Sequence, residues 1–489
     1  MREQLRAALC SYRHYLQNRD ESSLSRAAKE LRRYMLQFDP YYPSYHYCGP
    51  EGRVGDPNGV CKVGDIYHLF CQHRPVLGEK LAPTCWGHAY SSDLIHWVDA
   101  PIALYPDTPY DQNGCYSGNI IADGQGGHVA MYTGNIDEHA ECYGMMARST
   151  DGLQTWKKQM VLHPAQKPNE QSPVNWDNCL WQSDGIWFLL SGGCENGHGA
   201  AFLWTSTDFV NWQLLHNIAP NLPWGEYWEL PYLFELNGTA VLLVGHGTAC
   251  FLGTYDHKQM IFTAESGPFH LDCGHYYSFN AHLQDDAAHG NRRLLHGWVT
   301  GIPTPTKDVP YWQGLHSIPR VFRLKDSIPW LEPVQEIYAL KGQEVEWDLK
   351  TKAETPDAFV VSLTFDGDAE LMLFENSSHT EGIRIRISRR EKSISIDGPT
   401  IEQNHKAYAQ PGWDQLCDVL CVRQPIYADM GGDLRVEIFA DRSVIEVYCA
   451  GAVCTARCFP AAEARGIRLL SDWRHVRSLC LNEMKGIWD

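Results

Sequence analysis

One short pattern occurs three times in the 489-residue chain: Ser92-Asp93-Leu94-Ile95-His96-Trp97, Ser149-Thr150-Asp151-Gly152-Leu153-Gln154-Thr155-Trp156 and Ser206-Thr207-Asp208-Phe209-Val210-Asn211-Trp212. Its Trp residues are 59 and 56 positions apart. Each copy follows a segment typical of a β-strand, and its Asp-containing turn leads into the next such segment. A strand-rich unit recurring at this interval is typical of a β-propeller, whose four-stranded blades pack only against their neighbours. Residues 45–330 have room for five units, which predicts a five-bladed propeller.

The residues on either side of the repeats predict two further parts. Residues 1–40 carry apolar side chains at helical spacing around a break at Asp20-Glu21-Ser22-Ser23, which predicts a helical arm. Short alternating segments between Gly, Asp and Asn turns predict a β-sandwich over residues 340–489. The predicted fold class is therefore all-β with a short N-terminal helical arm. We expect the arm to pack on the main body, with a homo-oligomer contact through the arm or the sandwich as the alternative.

Composition and charge indicate a globular protein and exclude several classes of partner. The 17 Trp and 24 Tyr residues suit an aromatic-lined site that stacks on a sugar or another flat ligand. The 41 basic and 59 acidic residues give a formal net charge of −18, which disfavours nucleic acid and anionic membrane surfaces as partners. No apolar run approaches the roughly 18 residues of a transmembrane helix. We therefore expect a small-molecule substrate, no nucleic acid and no membrane.

The 17 cysteines favour a reduced, cytoplasmic protein, because an odd number cannot pair completely and most lie in apolar strand-like segments. The N-terminal residues mix Arg with Glu and Asp and contain no apolar stretch of the kind that marks a signal peptide. Two pairs, Cys417/Cys421 and Cys454/Cys458, are each four residues apart without a second metal-type pair. Buried small side chains explain them better than metal ligands do. We expect no metal and no cofactor.

Three carboxylates precede or begin predicted inner strands of the propeller: Asp56 in Gly55-Asp56-Pro57-Asn58-Gly59, Asp177 in Asn175-Trp176-Asp177-Asn178, and Glu229 in Trp228-Glu229-Leu230-Pro231. Because inner strands surround the propeller axis, the three side chains are expected to converge on one pocket. Two carboxyls on opposite sides of an acetal are the minimum for glycoside hydrolysis, and a third can hold sugar hydroxyls. The alternative is that the two Asp residues only cap turns and that Glu229 is a strand-edge charge.

The motif order resembles that of glycoside hydrolase family 32, the β-fructofuranosidases: invertases, inulinases, levanases and sucrose-6-phosphate hydrolases. The resemblance covers roughly residues 45 to 465. It rests on residues 55–59, on 228–231, and on the segments His68-Leu69-Phe70-Cys71-Gln72, Trp86-Gly87-His88-Ala89, Tyr116-Ser117-Gly118, Met131-Tyr132-Thr133-Gly134 and 436–448. Residues 103–111 are most similar to the intracellular bacterial sucrose and sucrose-phosphate hydrolases.

The resemblance implies a retaining double displacement without a metal. Asp56 matches the nucleophile, Glu229 the acid/base and Asp177 the stabiliser of the transition state. Gln72, Trp86 and Ser117 match positions that line the sugar subsite, and we include Asn58, Tyr116, Trp176 and Arg53 among the expected substrate-binding residues. The alternatives are that Gln72 caps a strand and that Trp86 belongs to the core.

Departures from the family pattern fall on the sugar-binding positions. The family's Trp-Met-Asn is Arg53-Val54-Gly55 here, its Arg-Asp-Pro is Trp176-Asp177-Asn178, and the Cys after its Glu is Leu230. Loss of the Arg removes a guanidinium that Trp cannot imitate. Three other cations are candidates to replace it: Arg53, His88 and Arg320.

Three functions remain open from the sequence. The first is release of terminal fructosyl units from sucrose or short fructo-oligosaccharides. The second is a glycosidase or fructosyltransferase on the same scaffold for an unusual furanoside or fructose conjugate, motivated by Gly55 and Trp176. The third is a carbohydrate-binding propeller without catalysis. Sucrose and its 6-phosphate are both candidate substrates of the first.

Overall fold

The computed structural model describes residues 3–77, 80–137, 140–245, 248–285, 290–301, 303–399, 401, 417–418 and 421–488. The predicted all-β class is confirmed: five consecutive four- or five-stranded sheets match the expected five blades, and two larger sheets follow them. The four principal antiparallel strands of the blades are Gly52–Val63, Ile66–Arg74, Cys85–Ser91 and Val98–Leu104 in blade 1; Gly114–Ala122, His128–Asp137, Glu141–Ser149 and Lys157–Leu162 in blade 2; Cys179–Ser183, Ile186–Glu195, His198–Ser206 and Gln213–Asn217 in blade 3; Tyr232–Leu236, Thr239–Val244, Ala249–Asp256 and Ile261–His270 in blade 4; Tyr276–Asn280, Arg293–Val299, Arg320–Lys325 and Ile328–Pro333 in blade 5.

Short strands complete the propeller. Trp312–Gln313 pairs in parallel with Gly52 and Arg53 of blade 1, and Leu315–His316 pairs with blade 5. A segment that follows blade 5's second strand is thus bonded to the first strand of blade 1, which closes the ring. Val76–Leu77 and Lys80–Leu81 form a separate hairpin after the second strand of blade 1.

The repeated sequence pattern forms the turn between the third and fourth strands of blades 1, 2 and 3. In each copy the Asp carboxylate accepts two backbone N–H groups at 2.8–3.1 Å, which closes the turn; the three residues are Asp93, Asp151 and Asp208. One residue of each copy has a left-handed backbone, with φ of 67° at Leu94, 70° at Leu153 and 64° at Phe209. Trp97 and Trp212 are buried, whereas Trp156 is half-buried.

The N-terminal arm consists of helix α1, Glu3–Asn18, and helix α2, Glu21–Phe38. The predicted break at Asp20–Ser23 is too long. Only Arg19 and Asp20 lie between the helices, because the Asp20 carboxylate accepts the Ser23 N–H at 3.4 Å and so caps α2 at its start. No helix within the described ranges is long and apolar enough to span a membrane.

The arm packs on blade 1 of its own chain. Apolar side chains of both helices form one buried cluster with Cys85 and Ile102 of that blade. Arg32 of α2 is 1% exposed, and its guanidinium pairs with Asp99 of blade 1 and donates to the Cys48 carbonyl at 2.7 Å. An oligomer contact stays a prediction.

The C-terminal part is a sandwich of a six-stranded and a seven-stranded sheet with its own apolar core. The strands, in sheet order, are Lys341–Glu344, Val476–Met484, Ala358–Phe365, Leu434–Asp441, Val444–Cys449 and Ala452–Arg457 in the first sheet, and Ala353–Glu354, Gly466–Leu469, Ala369–Glu375, Ile383–Ser388, Ser393–Asp397, Cys421–Pro425 and Cys417–Asp418 in the second.

Buried charges join the sandwich to the propeller. Glu446 of the sandwich accepts from the Arg320 guanidinium at 2.9 Å and from the Ile318 N–H at 2.8 Å. The His46 imidazole lies between Glu446, at 3.1 Å, and Asp441, at 2.9 Å. The two parts therefore share a polar interface as well as an apolar one.

Candidate active site

The three predicted carboxylates converge at the end of the axis where the inner strands begin. Asp56 lies near the start of the first strand of blade 1, and Asp177 and Glu229 lie in the loops that lead into the first strands of blades 3 and 4. Burial is the largest cause of the raised pKa of both Asp56 and Asp177, and the charge of Glu229 raises both pKa values further. Mutual effects of this kind require carboxyls that are close together in a site with little water.

Backbone contacts within blades 3 and 4 hold the carboxylate-bearing loops. The Trp176 carbonyl accepts the Gly192 N–H at 2.8 Å, and the Glu229 carbonyl accepts the Gly245 N–H at 2.7 Å. Gly192 also allows a close approach of the next loop, since a Cβ on it would lie 2.3 Å from the Trp228 carbonyl oxygen. The loop with Glu229 is thus set in place by the neighbouring strand.

Donors surround the Asp56 carboxylate on both oxygens. Oδ1 accepts from the Ser278 hydroxyl at 2.6 Å, and Oδ2 accepts from the Ser117 hydroxyl at 2.7 Å and from the Gln72 amide at 3.0 Å. Burial raises the pKa of Asp56, whereas the two Ser hydroxyls and the charge of Arg53 oppose that rise. These donors fix the orientation of the carboxylate and favour its ionised form.

A buried layer behind Asp56 supports this arrangement. Asn58, Trp86 and Ser117 have no exposed surface. In the amide orientation that satisfies both of its ends, Asn58 donates to the Ser117 hydroxyl at 3.0 Å and accepts the Trp86 indole N–H at 2.9 Å. The same indole N–H donates to the Tyr116 carbonyl at 2.8 Å. These three side chains support the Asp56 carboxylate. Of the other predicted residues around Asp56, Gln72, Tyr116 and Arg53 keep exposed surface.

Asp177 occupies a different environment. It is 5% exposed, and its pKa is well above the usual range because burial is reinforced by the charges of Glu229 and Asp56. Its backbone is left-handed, with φ of 45°. A raised pKa favours the protonated form of the carboxyl, which can donate a hydrogen bond as well as accept one.

Aromatic side chains surround Glu229. The Trp176 indole N–H donates to Glu229 Oε1 at 3.4 Å, and the Tyr277 phenol is hydrogen-bonded to the same carboxylate. Burial and then the Glu229 charge raise the pKa of Tyr277 and of Tyr227, so both phenols stay protonated. The Tyr116 and Trp176 rings meet edge to face at 6.0 Å. Trp176 thus contacts the predicted acid/base directly.

Blade 5 supplies three site residues that the sequence analysis missed: Ser278, Tyr277 and Trp298. The Trp298 ring lies 5.3 Å from Tyr277, and the Arg53 guanidinium lies 5.1 Å from the Trp298 ring centroid. No copy of the repeated pattern marks this blade. The alternating stretch Tyr276–Asn280 was the available signal, because the first strand of a fifth blade must also face the axis.

Two of the three candidate replacements for the family's Arg are wrong. His88 stacks on Phe70 at 4.2 Å and bonds to His68 at 2.9 Å, on the side of blade 1. Arg320 is buried at the interface with the sandwich, where it pairs with Asp272 at 3.0 Å and with Glu446. The surroundings of His88 and of Arg320 are formed by residues that are far apart in the sequence. Arg53 is the candidate whose charge reaches Asp56.

The arrangement suits displacement at a sugar carbon. It combines an oriented carboxylate, a second carboxyl among aromatic rings and a third that tends to be protonated. Such groups can attack carbon, exchange a proton with a leaving oxygen and bind hydroxyls. Across the described ranges, no group of three or more His, Cys, Asp or Glu side chains has the arrangement of a metal site.

Comparison with known proteins agrees with this geometry. The glycosyl hydrolases family 32 N-terminal domain matches residues 46–331, and the family 32 C-terminal domain matches residues 335–482. A sucrose-6-phosphate hydrolase of Klebsiella pneumoniae is 30% identical over 86% of this chain and 89% of its own length. A fructan 6-exohydrolase of Beta vulgaris is 30% identical over 63% of this chain and 57% of its own.

Solved structures share the fold. The sucrose-6-phosphate hydrolase of Lactobacillus gasseri superposes with a TM-score of 0.75 at 22% identity, covering 94% of this chain and 96% of that one. Together, the two family domains span nearly the whole propeller and sandwich. The chain belongs to family 32 of the glycosyl hydrolases.

Proposed function

We propose that this glycosidase releases terminal β-fructofuranosyl units from sucrose or short fructo-oligosaccharides with retention of configuration. The observation that carries the proposal is the Asp56 carboxylate, oriented by Ser278, Ser117 and Gln72 within electrostatic reach of Glu229. A nucleophile needs this fixed orientation, and the partner carboxyl needs to lie across the scissile bond. The relatives named for sucrose-6-phosphate and fructan hydrolysis support the substrate class.

In the first step, Asp56 attacks the anomeric carbon of the fructosyl unit. The bond to the leaving oxygen breaks as Glu229 gives that oxygen its proton, so a fructosyl ester of Asp56 and a free alcohol result. In the second step, Glu229 takes a proton from water, and the hydroxide attacks the same carbon and restores the Asp56 carboxylate. Asp177 holds ring hydroxyls while positive charge develops at the sugar.

The remaining proposed contacts to the sugar are made by side chains around the three carboxylates. Gln72, Tyr116, Trp176 and Arg53 are the proposed substrate-binding residues, and Trp298 and Tyr277 extend the same wall. Asn58, Trp86 and Ser117 act as positioning residues for Asp56.

A second candidate is hydrolysis of, or transfer from, an unusual furanoside. The observation that favours it is Trp176, which gives the site a neutral N–H beside Glu229 where the family pattern has Arg. Arg53 is then the candidate cation for a charged substituent of such a furanoside.

We also propose a cytoplasmic location. In support, 16 cysteines in the described part of the chain form no disulfide bond, as expected in a reducing compartment.

The test is release of fructose from sucrose, sucrose 6-phosphate and 1-kestose by the wild type, Asp56→Asn and Glu229→Gln. We expect turnover by the wild type, loss of at least about 10³-fold in Asp56→Asn, and β-fructofuranose as the first anomer detected by NMR. Full activity of Asp56→Asn would contradict the mechanism. Sugar binding without turnover by the wild type would instead indicate a binding module.

A further inference from the structure

A large cavity of about 860 Å³ opens on the side of the propeller, between blades 1 and 2 and beside the arm. We call it the lateral groove and define it by Tyr90 and Tyr105 of the blade 1 side, Gln154 and Trp156 of the blade 2 side, and Arg19 between α1 and α2. Its volume is in the range of sites that bind small molecules or short oligomers.

The lateral groove is separate from the catalytic carboxylates. Val63, which also lines it, lies seven residues after Asp56 at the other end of the same strand. At about 3.3 Å per residue, this places that part of the groove roughly 23 Å from the carboxylate. None of the three carboxylates lines the groove.

The walls combine aromatic surface with polar groups that have spare bonding capacity. Tyr90, Tyr105 and Trp156 are each half-buried and keep some exposed surface, although the Arg19 guanidinium packs over the Tyr105 ring at 4.4 Å. Within the described residues, neither the Tyr90 hydroxyl nor the Gln154 side-chain amide has a hydrogen-bond partner. Sugars bind where their C–H faces pack on such rings and their hydroxyls find donors and acceptors at the edges.

The charges around the lateral groove balance when Asp111, which is fully buried and pairs with the lining residue Lys158, is counted with them. Lys158 Nζ lies 2.8 Å from both Asp107 and Asp111, and the remaining charged side chains are Arg19, Lys157 and Glu21. Two imidazoles also line it, those of His68 and His88. Burial lowers the pKa of His68 to about 4 and of His88 to about 3, so both are neutral at pH 7. Such a groove has no strong preference for an anion.

We propose that the lateral groove is a second, non-catalytic site for a neutral oligosaccharide. Its identification as a fructan chain rests on the proposed function. A chain held there has its free end near the enzyme for longer, which raises the local concentration of substrate ends at the active site. The arm, through Arg19, forms part of this site.

The test compares binding of inulin and sucrose by calorimetry, using the full chain with Asp56→Asn to prevent turnover. Tyr90→Ala and Gln154→Ala are added separately in that background, and Gln154 is an exposed turn residue whose replacement does not endanger folding. Trp473→Ala is the matched control, because it removes an aromatic ring that is 45% exposed on the sandwich. Melting curves check that all variants fold.

We expect Tyr90→Ala to weaken inulin binding by roughly three- to tenfold and Gln154→Ala by a smaller factor, with sucrose binding unchanged in both and inulin binding unchanged in Trp473→Ala. Inulin binding that is absent in the parent, or that neither groove variant weakens, would overturn the inference. Failure of the proposed function is a different result: the wild type would release no fructose from sucrose.

Discussion

Ser278 offers the sharpest test of how the site controls Asp56. Its hydroxyl donates to Asp56 Oδ1 at 2.6 Å, and this hydrogen bond is the largest influence that lowers the pKa of Asp56 against the effect of burial. A hydrogen bond to a charged group contributes about 1.5–3 kcal/mol. Since one pKa unit corresponds to about 1.4 kcal/mol, Ser278→Ala is expected to raise the pKa of Asp56 by about one to two units.

The sign of the effect on activity follows from the role of the carboxylate. Asp56 must be ionised to attack, so a higher pKa moves the acid limb of the pH profile to higher pH. The assay is kcat/KM for sucrose from pH 3 to 8, because this parameter reports the ionisation of the free enzyme. Below the new pKa, the variant is expected to lose about 10- to 100-fold relative to the wild type.

Ser191→Ala is the matched control. Ser191 is also fully buried, but its hydroxyl meets the Trp204 indole at 3.3 Å within blade 3. Its acid limb is expected to coincide with that of the wild type. If the acid limb of Ser278→Ala also stays where it is in the wild type, the proposed control of Asp56 is refuted.

Four further predictions concern the site, the arm and the domain interface. Gln72→Ala removes one hydrogen-bond donor from Asp56 Oδ2 and is expected to lower kcat/KM for sucrose by about tenfold. Its melting temperature is expected to change no more than that of a variant at an exposed position. Trp176→Phe keeps an aromatic ring at this position but loses the indole N–H that meets Glu229 at 3.4 Å. We expect kcat to fall about three- to tenfold, and an unchanged kcat would show that this contact has no catalytic effect. Arg32→Met leaves the buried Asp99 carboxylate without its guanidinium partner and is expected to lower the free energy of unfolding by about 3–5 kcal/mol. The control Arg323→Met breaks an exposed ion pair and is expected to lower it by under about 1 kcal/mol. Equal losses of the two variants in denaturant titrations would contradict this prediction. Although burial opposes its charge, the hydrogen bonds that the His46 imidazole donates to Asp441 and Glu446 raise the pKa of His46. Its contribution to stability is therefore full below pH 6.5 and is lost as pH rises through the folded-state pKa. His46→Gln is therefore expected to make the melting temperature depend less on pH between pH 6 and 9.

Local signals in the sequence account for most of what was predicted correctly. The Asp turns that close blades 1, 2 and 3 are short-range structures, in which a carboxylate bonds N–H groups two to four residues away, so their pattern is visible in the sequence. The convergence of Asp56, Asp177 and Glu229 also followed from strand order, because each precedes or begins a strand that faces the axis.

Contacts between distant parts of the chain account for the rest. Ser278 is 222 residues from Asp56, and no local pattern in blade 5 marks it. Arg320 looked like a free cation for the sugar site, but its partners Asp272 and Glu446 come from the loop between blades 4 and 5 and from the sandwich. The start of α2 was misplaced because Glu21 and Ser22 are compatible with either a loop or a first helical turn, and only the Asp20 cap decides between them.

The central claim is that Asp56 forms a covalent bond to the fructosyl unit. The most direct measurement is mass spectrometry of peptides from wild-type enzyme that is quenched in acid during turnover of sucrose. We expect one added hexosyl unit on the peptide that contains Asp56, and none on that peptide in Asp56→Asn. A hexosyl unit attached to another residue, or a labelled Asp56→Asn protein, would contradict the account.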